Sequence, residues 1–337
     1  MSALPTGIGT GVGSMPGTDP RESAAVVTGE LDLGFLPELP ARGLGADMIG
    51  RMAALLVDLP LDTTPHGYRL SARTSSLSRR ARDYLSADLD AVEELWDTAG
   101  FIGAGRSFKV AVCGPFTLAA SVELANGHKA IRDRGAWSDI VASTAEGLGT
   151  HVADVTRRLG ADVVVQIDEP MIGSVIDGTV RPLTRFDTIP AVPVAEVADA
   201  LRELFEVVAR PAILHNCGTP RWDLAQRLPG VALGVDVTEL SGAADLDGIG
   251  ALVDRGDVLV AGAVRADRAD RSVRAETVAT SLAALTDRIG LNRKVLSENV
   301  IVTPTCGLAG ATPSWATTAL GICAAAGQLL ATDPDAL

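Results

Sequence analysis

Several things are missing from this sequence, and each absence excludes a class of protein. Four cysteines in 337 residues are too few for a disulfide scaffold. Positive charge is short: 29 Lys and Arg stand against 42 Asp and Glu, a formal charge of −13. Such a chain is a poor binder of nucleic acid or of an anionic membrane. No apolar run reaches the roughly 18 residues of a membrane span. Residues 1–11 lack the basic-then-apolar pattern of a signal peptide, so a cytoplasmic protein is expected. No strand is followed by the Gly-x-Gly-x-x-Gly turn of a dinucleotide-binding sheet. The Gly-rich stretch from Gly7 to Ser14 has no Lys-Ser/Thr after it, as a phosphate loop would. No Pro/Gly/Ser linker divides the chain.

What is present is ordinary in amount and regular in order. Apolar residues make up 47% and charged residues 21%, as in a globular protein with a large core. Short apolar runs alternate with longer amphipathic segments, the pattern of a parallel α/β fold. Eight runs read as strands: 6–14, 35–40, 109–116, 163–168, 212–216, 232–237, 258–264 and 300–304. Most are apolar throughout, as strands covered on both faces are. Helices are expected over 139–159, 194–208, 273–289 and 315–330, and the Ser- and Arg-rich stretch 67–82 reads as a surface excursion. Eight strand–helix units predict a single (β/α)₈ TIM barrel over 1–337, its core at about 8–331.

Barrel enzymes carry their chemistry where the strands end. Here the ends read Val12-Gly13-Ser14, Gln166-Ile167-Asp168-Glu169-Pro170, His215-Asn216-Cys217, Thr238-Glu239 and Thr305-Cys306-Gly307. His215 and Cys217 stand two apart, so in extended chain they face one way. With Glu239 and Cys306 at two other strand ends, one imidazole, two thiolates and one carboxylate suit a tetrahedral Zn²⁺. A cysteine at a strand end is also, often, just a small buried hydrophobe. Asp168 stands at such a strand end, where an Asp often caps the next helix. Glu169 points to the opposite face and reads as structural.

These motifs together resemble the catalytic domain of cobalamin-independent methionine synthase, over residues from about 8 to the C-terminus. The order His215, Cys217, Glu239, Cys306 is similar to that family's zinc set. Gln166-Ile167-Asp168-Glu169-Pro170 resembles its strand bearing the Asp that holds homocysteine, and Val12-Gly13-Ser14 the backbone that meets the amino acid's carboxylate. Cys113-Gly114-Pro115-Phe116-Thr117 resembles a segment near the methyl donor. The resemblance implies a barrel with catalytic zinc that transfers a methyl group to a thiol, homocysteine first among acceptors. It also implies three departures. Ser121 stands where the family has a Trp, Gly50 replaces a Glu, and Asp267 stands near the position of a His proton donor. The donor is therefore expected to be methyl-folate or a methylated corrinoid protein, with Asp267 the candidate acid for the former. The alternatives are alkyl transfer to another thiol, a metal-free barrel like uroporphyrinogen decarboxylase, and a zinc-binding paralogue without catalysis.

Overall fold

The computed structural model describes residues 4–184, 186–240 and 242–337. Ten strands run β1 (Ile8–Gly9), β2 (Gly34–Phe35), β3 (Leu61–Thr64), β4 (Gly67–Leu70), β5 (Ser107–Cys113), β6 (Asp162–Asp168), β7 (Ala212–His215), β8 (Ala232–Asp236), β9 (Leu259–Val264) and β10 (Val300–Pro304). Eight of them form one curled sheet in the order β1-β10-β9-β8-β7-β6-β5-β2. Every pairing in it is parallel, as crossovers through outer helices require. The eight strands expected from the sequence are these eight.

The first two strands lie at the two edges and are short because each has a ladder partner on one side only. Beyond their ends the chains meet. Ser14 and Glu38 form a parallel bridge, in which the Met15 amide donates to the Glu38 carbonyl at 2.8 Å and the Glu38 amide to the Gly13 carbonyl at 3.0 Å.

Two apolar clusters divide the buried residues. The larger lies between sheet and helices. The smaller, with Val164, Ile213, Val260 and Ile301, fills the inside of the curl. Helix Pro313–Thr332 is long and apolar enough to cross a membrane by length and composition. Its apolar face packs on β1 at backbone distance: a Cβ on Gly9 would lie 2.3 Å from the Cys323 carbonyl carbon, and one on Gly327 would lie 2.2 Å from that of Ile8. Cys323 itself is fully buried.

Residues 67–82 differ from expectation. Gly67–Leu70 pairs with Leu61–Thr64 as an antiparallel hairpin around Pro65-His66, and Ser76 starts a helix to Thr98 that is capped by the Ser75 hydroxyl. The hairpin survives because Leu61 and Tyr68 are buried, a two-residue signal too sparse to separate from a loop by pattern. Helix Arg134–Leu159 starts five residues before expectation, where the Asp133 carboxylate accepts from the Ala136 amide.

Candidate metal and substrate site

The site is built on side-chain alternation. On β6, Val164 joins the inner apolar cluster, so Gln166 and Asp168 share its inward face. On β7, Ile213 is inward, and therefore so is His215. The register sets Asp168 beside His215. Past the strand, Cys217 follows at the turn, and Cys306 follows β10. Donor atoms of His215, Cys217 and Cys306 all lie within 4.8 Å of one another.

The donor set fits a metal ion. Nε2 of His215 is buried and has no hydrogen-bond partner, an arrangement that costs free energy unless something binds there. Its Nδ1 faces Gly234, where a Cβ would come within 2.9 Å, so the ring is fixed with Nε2 toward the sulfurs. The two thiols titrate together. The Cys217 thiol and then the His215 ring draw Cys306 well below the usual thiol range, while the same pairing pushes Cys217 up. Imidazole with two sulfurs, one already driven toward thiolate, suits Zn²⁺ among the common ions.

A cavity of about 280 Å³ opens over this cluster. Val12, Ser14 and Asp168 line it beside the three metal-ligand candidates. Gly307 keeps one wall open, since a Cβ there would lie 2.0 Å from the Ser14 hydroxyl oxygen. Asp168 accepts from Gln166 Nε2 at 2.7 Å. Burial raises its pKa, and the His215 ring and the Lys109 ammonium pull it back. A larger groove of about 480 Å³ lies outside, against helices Arg134–Leu159 and Val194–Val208, and holds none of these groups.

Two of the sequence candidates lie elsewhere. Glu239 is exposed and paired with Arg265 at 2.8 Å, outside the three-residue cluster. Asp267 accepts both prongs of the same guanidinium at 3.0 Å. That fork holds its carboxyl below the usual range, so at neutral pH it carries no proton to donate. Gly50, expected at the position of a family glutamate, lies on the short helix Met48–Arg51. A Cβ at position 50 would strike the Tyr68 hydroxyl at 2.4 Å, so the position has no room for a side chain. The cavity does contain a glutamate, Glu38. It is buried, 3.6 Å from the Arg51 guanidinium, and desolvation lifts its pKa to about 7 despite Arg51. Glu38 lies three residues past β2, in the bridge with Ser14.

Glu169 is structural. Its carboxylate accepts from the amides of Phe116 and Thr117 at 2.9 and 2.7 Å and from the Thr117 hydroxyl at 2.6 Å, capping helix Pro115–Ser121 from the neighbouring strand. This explains Gly114, where a Cβ would meet the Glu169 carboxyl at 2.3 Å. Ser121 donates to the Thr117 carbonyl within the same helix.

The family described as cobalamin-independent synthase, catalytic domain, matches residues 4–328. No curated protein matches the chain. Among solved structures, a B12-independent methionine synthase from Shewanella sp. W3-18-1 in complex with selenomethionine superposes with a TM-score of 0.64 at 12% identity, over 100% of both chains. A methyltransferase from Methanosarcina mazei gives 0.57 at 16% identity, over 99% of this chain and 94% of that one. At these identities the likeness is one of fold.

Proposed function

Because the chain belongs to the cobalamin-independent synthase catalytic-domain family, we propose that it is a zinc-dependent methyltransferase acting on an amino-acid thiol, homocysteine first, within a closed (β/α)₈ barrel. The observation that carries the reading is the His215–Cys217–Cys306 cluster under a cavity with two buried carboxylates. The Ser14–Glu38 bridge supports closure of the sheet.

Zn²⁺ held by His215, Cys217 and Cys306 would supply Lewis acidity that makes a bound thiol a thiolate at neutral pH. Glu239 is the proposed fourth, exchangeable ligand, taken from Arg265. Asp168 and Glu38 receive the acceptor's ammonium, whose charge offsets the cost of ionising both in a buried site. The backbone at Val12, Gly13 and Ser14 receives its carboxylate. With both ends fixed, the sulfur faces the open mouth, and alignment is the protein's contribution to rate. The sulfur–carbon bond forms as the donor's bond to the methyl carbon breaks, and the electron pair leaves with the donor. An ionised Asp267 cannot protonate a departing nitrogen. A methylated corrinoid, whose leaving group needs no proton, therefore fits this site better than methyl-folate.

The test is the metal content of purified protein, followed by X-ray absorption at the zinc edge as L-homocysteine is added. About one zinc per chain, gaining a sulfur neighbour, supports thiol activation. No zinc, and none taken up on reconstitution, overturns it in favour of a metal-free decarboxylase-like barrel or a binding protein.

A further inference from the structure

Every strand of the curled sheet except β5 places an apolar residue, in it or beside it, in the inner cluster. On β5 the residue in register near Val164 of β6 is Lys109, and it is fully buried. A buried ammonium without partners costs several kcal/mol, so its partners indicate what it does. Lys109 Nζ donates to the Val12 carbonyl at 2.8 Å and to Gln166 Oε1 at 2.7 Å. Gln166 Nε2 donates to the same Val12 carbonyl at 2.8 Å and to Asp168 at 2.7 Å. The Val12 oxygen thus has two donors, and the Gln166 amide can be oriented one way only, because Lys109 can only donate.

This network reaches both ends of the acceptor's site. Among the described residues no peptide is cis, so the Val12–Gly13 peptide is a rigid trans unit. Lys109 and Gln166 together hold the Val12 carbonyl, and so fix the backbone between Val12 and Ser14, both of which line the cavity. The other end of the network fixes the Asp168 carboxylate. Burial lowers the Lys109 pKa to about 8, with Asp168 and Glu38 holding it up, so the residue remains a cation at neutral pH.

The geometry points to Lys109 as a positioning residue that sets both arms of the acceptor site, the Val12–Ser14 backbone for a carboxylate and, through Gln166, the Asp168 carboxylate for an ammonium. The site is thereby matched to an α-amino acid and not to thiols in general. The assignment rests on the amino-acid-thiol reading above.

Calorimetric titration of the full chain with L-methionine tests it without any turnover. Two comparison ligands are 4-(methylthio)butanoate, which lacks the ammonium, and 3-(methylthio)propylamine, which lacks the carboxylate. Wild-type protein is expected to prefer methionine to both. Lys109→Met should weaken methionine binding by about 10- to 100-fold and bring it to the level of the truncated ligands, with zinc content unchanged. Gln166→Glu covers the case in which Lys109→Met does not fold. It keeps an ion pair with Lys109 yet donates to neither Val12 nor Asp168, and the same loss of discrimination is expected. Folded variants that bind and discriminate like wild type overturn the positioning role. Wild-type protein that binds methionine no better than the truncated ligands overturns the amino-acid reading itself, and the two failures are distinct.

Discussion

The mouth of the sheet has two arcs that differ in kind. Along the ends of β1, β2, β6, β7 and β10, Glu38, Asp168 and His215 are buried, Cys217 and Cys306 are half-buried, and each is oriented by a neighbour. Along the ends of β8 and β9, Glu239, Arg265 and Asp267 are exposed and bind one another. Desolvation raises the pKa values of the two carboxylates of the first arc, Glu38 and Asp168, and its two thiols titrate as a pair. Solvent governs the second, where ion pairs contribute little. Chemistry that needs fixed geometry belongs to the first arc, and groups that must exchange belong to the second.

The largest effect should come from the centre of the buried arc. Cys217→Ser and Cys306→Ser each replace a soft donor with a hydroxyl that zinc does not hold well. Both variants should purify without zinc. Methyl transfer should fall by about three orders of magnitude, the worth of several kcal/mol of Lewis-acid stabilisation. Metal analysis and turnover on the same samples check this. A variant that loses zinc and keeps turnover would separate the cluster from catalysis.

How far the buried arc was legible in sequence depended on how each residue announces itself. His215, Cys217, Cys306 and Asp168 are polar residues at the ends of apolar runs, so strand ends alone pointed to them. Glu38 lies inside the apolar run 35–40, twelve residues before Gly50, and an acid within a run does not announce itself as one at a run's end does. Lys109 gave no signal as a site residue, because one lysine in an apolar strand is indistinguishable from a register error until the pairing with β6 shows which way it faces. The exposed arc departs from the reading of spacing for a different reason. Glu239 and Asp267 sit at the expected chain positions, but Arg265 stands between them in sequence, and a guanidinium captures whichever carboxylates its fork can reach. Spacing carries no information about that competition.

The next effect in size is on stability against pH, and it has opposite signs for buried acids and ordinary ones. Glu38 and Glu169 are fully buried, and desolvation lifts each from 4.5 to about 7. Between those values the folded chain keeps protons that the unfolded chain has released. Stability therefore falls as pH rises through the window, by on the order of 3 kcal/mol per group at most. Glu38→Gln should remove its share of the fall between about pH 4.5 and 7 and leave that of Glu169, and urea denaturation across that range measures it. A wild-type profile that rises through the window would mean that Arg51 holds Glu38 ionised and that the acceptor's ammonium meets a carboxylate formed beforehand.

The smallest effect is expected in the exposed arc, and it bears most directly on the donor. Asp267 is paired with Arg265 in solvent, and its carboxyl is held ionised by that pair. Asp267→Asn keeps the size and one hydrogen bond to the guanidinium and removes the charge. If the donor's leaving group needs no proton, kcat should change by no more than about twofold, since an exposed pair of this kind is screened by solvent. Its pH profile should keep the wild-type shape. If the donor is methyl-folate and Asp267 is its acid, the variant should lose about 10²- to 10⁴-fold in rate, together with the limb of the profile that reports a protonated carboxyl. Measuring kcat against pH with each donor separates these outcomes. Loss of the limb with methyl-folate alone would place proton delivery in the exposed arc and make Arg265 the group that must release Asp267 before it can act.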